Sequence, residues 1–251
     1  MKTPQKINVL DVGISQVKIN DILELVPKFI KTDNKGYVTV TGAHGIIESR
    51  RDEKIRSIHN GSYMSIPDGM PCVWVSKLKK SKNIERCFGP EVFIKVMEIS
   101  AKNNIKHYFY GGNVGIADKL KLNMEKLFPG IQIVGTYCPP FRPLNQKEEK
   151  ELFDDIEESK PDIVWVGLST PKQEIFMSEY LPKLKTKLMF GVGAAFDYHT
   201  GSLVIAPKWV QNSGLEWLFR LLMEPRRLWK RYFDIVPKFI MYNIIDFIKK
   251  K

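Results

Sequence analysis

At 251 residues the chain has the length of one large α/β domain or of a domain with an appendage, and 43% hydrophobic with 27% charged residues excludes a disordered or collagen-like chain. Lysine and arginine (39) outnumber aspartate and glutamate (28), and this net charge of +11 favours polyanionic partners: nucleic acid, phosphorylated metabolites or an anionic membrane face. Cys72, Cys87 and Cys138 lack zinc-site spacing and are odd in number, which argues against a disulfide framework and points to a reducing cytosol. The opening residues carry no apolar run of leader length, and nowhere do about 18 consecutive apolar residues occur, so any membrane contact is expected to be peripheral.

In chain order the text alternates helical stretches with short β-rich runs. A helix is predicted over Asp21–Ile30, a strand over Tyr37–Thr41, a helix over His44–Ile58 and a strand over Tyr63–Ile66. There follow helix Pro90–Lys102, strand Lys106–Tyr110, helix Val114–Phe128, strand Ile131–Tyr137 and helix Gln146–Glu157. Strand Asp162–Gly167, helix Lys172–Leu181 and strand Lys187–Gly191 complete the series. Such alternation reads as βα units around a mostly parallel sheet, an α/β fold of Rossmann type flanked by helices. Glycine-containing loops end several strands, among them Thr41-Gly42-Ala43, Gly111-Gly112-Asn113 and Gly191-Val192-Gly193. Open parallel sheets bind ligands at this edge, so the loops point to a phosphorylated ligand.

After about Pro207 the composition changes. Residues 208–251 hold ten lysines or arginines against four acids, so this segment supplies +6 of the net charge, together with nine of the 28 aromatic residues. Domain limits are therefore expected at 1–207, a Rossmann-like domain, and 208–251, a basic, aromatic helical appendage. Basic residues beside Trp, Phe and Leu suit a helix lying in an anionic membrane interface; helices packed on the main domain with a solvated basic face suit the same composition.

Candidate chemistry sits at the strand ends. Asp68, in Pro67-Asp68-Gly69, is either a turn residue or a carboxylate at the ligand edge able to act as general base. Ser169-Thr170-Pro171-Lys172-Gln173-Glu174 is a good helix start, whose free N–H groups with Lys172 and Gln173 would also suit a phosphate or sugar. Asp197 either caps a helix or accepts hydrogen bonds from a ribose or base. No full phosphate-loop motif is present, and His44, His59, His107 and His199 lack close metal-ligand spacing. No Asp-x-Asp motif offers a divalent cation to a nucleotide diphosphate, so arginines are expected to carry a leaving diphosphate's charge.

Together these motifs, in order, with Arg86-Cys87-Phe88-Gly89, Pro140-Phe141-Arg142-Pro143, Gly193-Ala194-Ala195-Phe196-Asp197 and Gly214-Leu215-Glu216-Trp217-Leu218-Phe219-Arg220, resemble the WecG/TagA/CpsF glycosyltransferases, glycosyltransferase family 26. The resemblance implies an inverting, metal-independent transferase without a cofactor. It would move N-acetylmannosamine or a relative from a UDP-sugar donor to a sugar on an undecaprenyl diphosphate acceptor. Teichoic acid, capsule or another cell-envelope polysaccharide would be the product, made by an enzyme attached peripherally to the cytoplasmic membrane face. By motif, Asp68 corresponds to the catalytic base, Thr41 and Gln173 to substrate-pocket residues, and Arg86 to the arginine of the Arg-x-x-Gly segment. Gly111, Gly112, Tyr137 and Asp197 are nucleotide-side candidates, joined by Lys172. Arg220, Arg226 and Arg227 are placed near the diphosphate. The rivals are a transferase using a glucosyl or uronic acid donor, a nucleotide-sugar epimerase, and a basic module binding nucleic acid or lipid. The transferase reading expects no nucleic-acid partner, and the apolar tail leaves self-association open.

Overall fold

A computed structural model describes residues 3–249; Lys250 and Lys251, the end of the basic tail, lie outside the described residues. The chain opens with a hairpin of β1 (Lys6–Val9) and β2 (Val12–Ser15), followed by α1 (Ile19–Ile30), β3 (Gly36–Thr41), α2 (Ala43–Arg51), α3 (Glu53–Gly61) and β4 (Met64–Pro67). Next come α4 (Met70–Leu78), α5 (Gly89–Asn103), β5 (Lys106–Gly111), α6 (Ile116–Leu127), β6 (Gln132–Tyr137), α7 (Gln146–Ser159) and β7 (Ile163–Gly167). The series closes with α8 (Lys172–Tyr180), β8 (Leu188–Gly191), α9 (Ala195–His199), α10 (Lys208–Asn212), α11 (Glu216–Met223) and α12 (Pro225–Lys249).

Strands β3 to β8 form a six-stranded sheet in the order β4-β3-β8-β7-β5-β6, and the β3–β8, β8–β7, β7–β5 and β5–β6 pairings are parallel. The expected α/β architecture is the observed one. By internal contacts the chain forms two compact units. The first contains residues 19–39 and 89–203; the second contains 3–18, 40–88 and 204–249. Strand β3 runs from one into the other, Thr39 belonging to the first and Val40 to the second.

In the first unit the first four residues of β7 are fully buried, as expected of a central parallel strand covered on both faces. One face carries Phe93, Phe109, Trp165, Phe190 and Phe196, with the Phe93 and Trp165 rings edge to face at 4.8 Å. The other packs Tyr108, Tyr110, Val164, Val166 and Met189 with Leu152, Ile156 and Phe176. Helix α7 begins with a capping box, Asn145 and Glu148 each accepting the other's backbone N–H.

The second unit has its own core: Val9, Leu10, Val12 and Ile14 of the hairpin meet Ile46, Ile47, Cys72 and Val73, and Ile235 and Phe239 of α12 join them. The tail, distinct in composition, is thus part of this unit's packing. Two ion pairs hold α12 there, Lys79 with Asp246 and Arg51 with Asp234, and the Arg50 guanidinium lies 4.6 Å over the Tyr242 ring.

Three local features depart from the expected elements. The hairpin β1–β2 turns through Leu10 and Asp11, both at positive φ (52° and 68°), without the Asn-Gly signal that marks such turns. The helix expected over His44–Ile58 is broken at Asp52, which ends α2 through its N–H and caps α3 by accepting from the N–H groups of Lys54 and Ile55. Helix α4 was unannounced because Cys72-Val73-Trp74-Val75 is apolar without helical spacing; Gly69, at φ 83°, and Pro71 start it.

Candidate active site

In the second unit, Asp68 follows the end of β4 beside the end of β3. Its N–H donates to the Thr41 carbonyl at 3.0 Å, and the Ser65 hydroxyl donates to Thr41 Oγ1 at 2.8 Å. Gly42 is closely fitted here: a Cβ would lie 3.1 Å from the Asp68 carbonyl oxygen. Thr41 is buried, while Asp68 is partly exposed. Cys87 N–H donates to the Pro67 carbonyl at 2.8 Å, which brings the Arg86 loop alongside the same strand end.

Arg86 is built into a polar clamp. Its guanidinium stacks 4.3 Å over the Phe88 ring, donates to Gln211 Oε1 at 2.8 Å and pairs with Glu216 at the start of α11. The pair is enclosed, the side chains being 8% and 16% exposed, and Arg86 Nε is buried without a partner among the described residues. Gln211 in turn donates to the Ala206 carbonyl at 2.6 Å. Glu216 holds its proton more tightly than an ordinary glutamate, first through burial and then through the nearby Asp68 charge; Arg86 and Arg220 oppose both. Asp68, Arg86, Glu216 and Arg220 therefore share one electrostatic neighbourhood. Glu224 links two further arginines, at 3.6 Å from Arg220 and 2.6 Å from Arg227. Arg226, in the first turn of α12, is exposed. Burial lowers the Arg231 pKa and raises that of Tyr232, whose ring meets Trp217 edge to face at 6.0 Å.

The first unit gathers the remaining candidates at the carboxyl ends of β5, β6, β7 and β8. Gln173, 3% exposed in the first turn of α8, accepts from Gly193 N–H at 2.9 Å and donates to Glu174 at 3.0 Å. Lys172 is exposed at the first position of that helix. Tyr137 stacks on Tyr110 at 5.7 Å with the rings 3° apart, and Tyr110 stacks on Phe176 at 4.1 Å. Asp197, half-buried in α9, uses its carbonyl to accept from Ser202 and Leu203. At Gly111, φ 121°, a Cβ would fall 2.7 Å from the Gly167 carbonyl, and at Gly112 it would fall 2.9 Å from Ile116. The protein's own atoms thus account for these two glycines.

Two residues that sequence reasoning passed over stand out. Glu216 lay inside the Gly214–Arg220 motif but drew no attention beside the arginines, because nothing in sequence announces that it partners Arg86 across 130 positions. Glu174 was read as a helix-start residue, yet it is wholly buried. Among the described residues no group of three or more His, Cys, Asp or Glu side chains is placed to hold a metal ion.

The profile of the WecG/TagA/CpsF glycosyl transferase family matches residues 7–251. Over 208 residues the chain is 30% identical to the N-acetylglucosaminyldiphosphoundecaprenol N-acetyl-β-D-mannosaminyltransferase of Bacillus spizizenii strain W23, covering 82% of this chain and 78% of that protein. The protein with the same description from Bacillus subtilis strain 168 is 27% identical over 201 residues, 80% of this chain and 76% of its own length. The chain belongs to the WecG/TagA/CpsF family of glycosyltransferases.

Proposed function

We propose that the protein transfers N-acetylmannosamine or a closely related hexosamine from a UDP-sugar to a sugar carried on undecaprenyl diphosphate, for cell-envelope polysaccharide. The descriptions of its relatives name that acceptor and that sugar. The observation that carries the mechanism is the neighbourhood of Asp68: a partly exposed carboxylate, its backbone pinned to Thr41, within electrostatic reach of Glu216 and the Arg86 clamp.

Asp68 takes the proton of the acceptor hydroxyl as that oxygen attacks the anomeric carbon from the face opposite UDP. One C–O bond forms, the C–O bond to the diphosphate breaks with its electron pair on UDP, and the configuration inverts. Arg220, Arg226 and Arg227, with Arg86, neutralise the charge growing on the diphosphate, a donor of this kind being worth about 3–4 kcal/mol. Thr41 in the second unit and Gln173 in the first are each read, by family motif, as contacts to the sugars. Tyr137, Lys172 and Asp197 serve the nucleotide side, Tyr137 through the face of its stacked ring, while Gly111 and Gly112 shape the loop after β5 through their own packing.

No helix among the described residues is long and apolar enough to cross a membrane. Yet α12 exposes Trp229, Phe233, Ile240, Ile244 and Ile248, residues at helical spacing beside Arg226, Arg227 and Lys230. That stripe suits attachment to the anionic inner face of the membrane, where a polyprenyl acceptor resides.

The test is a donor screen against a synthetic prenyl-diphosphate N-acetylglucosamine, reading free UDP and product mass. UDP release with UDP-N-acetylmannosamine, dependent on the lipid acceptor, is the expected result. Turnover of the nucleotide sugar without any acceptor would favour an epimerase or hydrolase and overturn the reading.

A further inference from the structure

A polar lock joins the loop after β7 to the loop after β8 in the first unit. Thr170 Oγ1 and Gln173 Nε2 both donate to Glu174 Oε1, at 3.1 and 3.0 Å, and Gly193 N–H donates to Gln173 Oε1 at 2.9 Å. A backbone N–H can only donate, so Gly193 dictates which end of the Gln173 carboxamide is the oxygen. The other end is then an NH2 group and needs an acceptor. Glu174 supplies one from a position with no solvent exposure.

That acceptor is expensive. Glu174 Oε2 is buried with no partner among the described residues. A carboxylate oxygen in that condition bears its full desolvation penalty, offset only by the two hydrogen bonds that Oε1 accepts. Gly191 shows how closely the amide is fitted: a Cβ there would lie 3.2 Å from Gln173 Cδ and 2.7 Å from Met177 Cε.

We infer that Glu174 is a positioning residue, whose Oε1 holds the Gln173 carboxamide in one of its two flips and leaves the second Nε2–H as the donor offered to a substrate oxygen. The inference rests on the reading of Gln173 as a substrate-pocket residue. Without Glu174 the Gly193 N–H alone would hold the carboxamide, and its NH2 end would lose the fixed direction in which it meets the ligand.

Two exchanges separate orientation from packing. Glu174→Met keeps volume and removes the acceptor; Glu174→Gln keeps an acceptor oxygen and removes the charge. Each is assayed in the full chain with UDP-N-acetylmannosamine and the prenyl-diphosphate N-acetylglucosamine acceptor, alongside a thermal midpoint. The Met variant is expected to melt somewhat below the wild type, because Thr170 and Gln173 lose their shared acceptor, and to lose about ten- to a hundredfold in kcat/KM, the scale of one misplaced buried hydrogen bond. The Gln variant is expected to stay within about threefold of the wild type. Wild-type turnover in the Met variant, or equal losses in both variants, would overturn the inference. Should the Met variant not fold, proton exchange of the Gln173 side-chain amide by NMR decides: slow exchange in the wild type supports the lock, and rapid exchange refutes it. Gln173→Ala distinguishes the two levels. Wild-type turnover there would remove Gln173 from the pocket, whereas its loss beside a normal Glu174→Met would defeat the positioning role alone.

Discussion

The two units hold polar groups by opposite means. The first relies on a buried hydrogen-bond chain and ring faces: the Gln173 carboxamide held between the Gly193 N–H and the Glu174 carboxylate, and Tyr137, Tyr110 and Phe176 stacked in series. The second relies on charge, with Arg86 enclosed against Glu216 and Gln211 and Asp68 close enough to perturb Glu216. Directed hydrogen bonds select shape, while opposing charges in a partly dry site suit a reaction that separates charge. Under the proposed function, recognition falls to the candidates of the first unit and bond-breaking to those of the second.

The sharpest way to break this contrast is to remove a charge. Arg86→Met leaves Glu216 enclosed without its partner, and loss of one member of a buried pair costs about 3–5 kcal/mol. Denaturant unfolding should show that loss, and the double exchange Arg86→Met with Glu216→Met should recover most of it. An unaffected single variant would mean that the clamp carries no energy. A smaller effect is expected where the first unit's backbone is crowded. Gly111→Ala places a Cβ 2.7 Å from the Gly167 carbonyl at a φ of 121°, and strain of this kind costs about 1–3 kcal/mol. A midpoint equal to the wild type would show that the strand ends can relax.

Acid affects both units through histidine. Burial lowers His44 to about 4 and His107 to about 3 from an ordinary 6.5, with like charges from Arg231 and Arg51 adding to the effect at His44. The unfolded chain therefore binds these protons first, so the associated stability is full above about pH 6.5 and is lost as pH falls towards the folded values. Denaturant midpoints should drop between pH 7 and pH 4.5, less steeply in His44→Gln, and a flat profile would contradict the burial of these rings. The smallest effect on folding belongs to the outer stripe of α12. Ile240→Ser with Ile244→Ser alters exposed positions and should shift stability by no more than about 0.5 kcal/mol per site. Binding to vesicles containing anionic phospholipid should nevertheless fall severalfold; unchanged binding would take the stripe out of membrane attachment.

Much of the sheet could be read directly, because parallel strands buried on both faces, such as Ile163–Gly167, leave unbroken apolar runs between helical spacings. The hairpin at Leu10 and Asp11 could not, since it uses positive φ without glycine or asparagine. Motif order brought out Asp68, Thr41, Arg86 and Gln173 as candidates. Their partners Glu216, Gln211 and Glu174 were hidden, because a glutamate in text carries no sign of whether it ends in solvent or under a guanidinium. Composition also set the tail apart at 208, although Ile235 and Phe239 bury their side chains in the second unit's core.

The most direct measurement is paired: UDP affinity by calorimetry and steady-state turnover, both on Asp68→Asn. The second unit's chemistry requires turnover to fall by at least about a hundredfold, within the range for loss of a general base, while UDP binds as tightly as to the wild type. Near-normal turnover with intact UDP binding would remove Asp68 from the proton transfer and contradict the account.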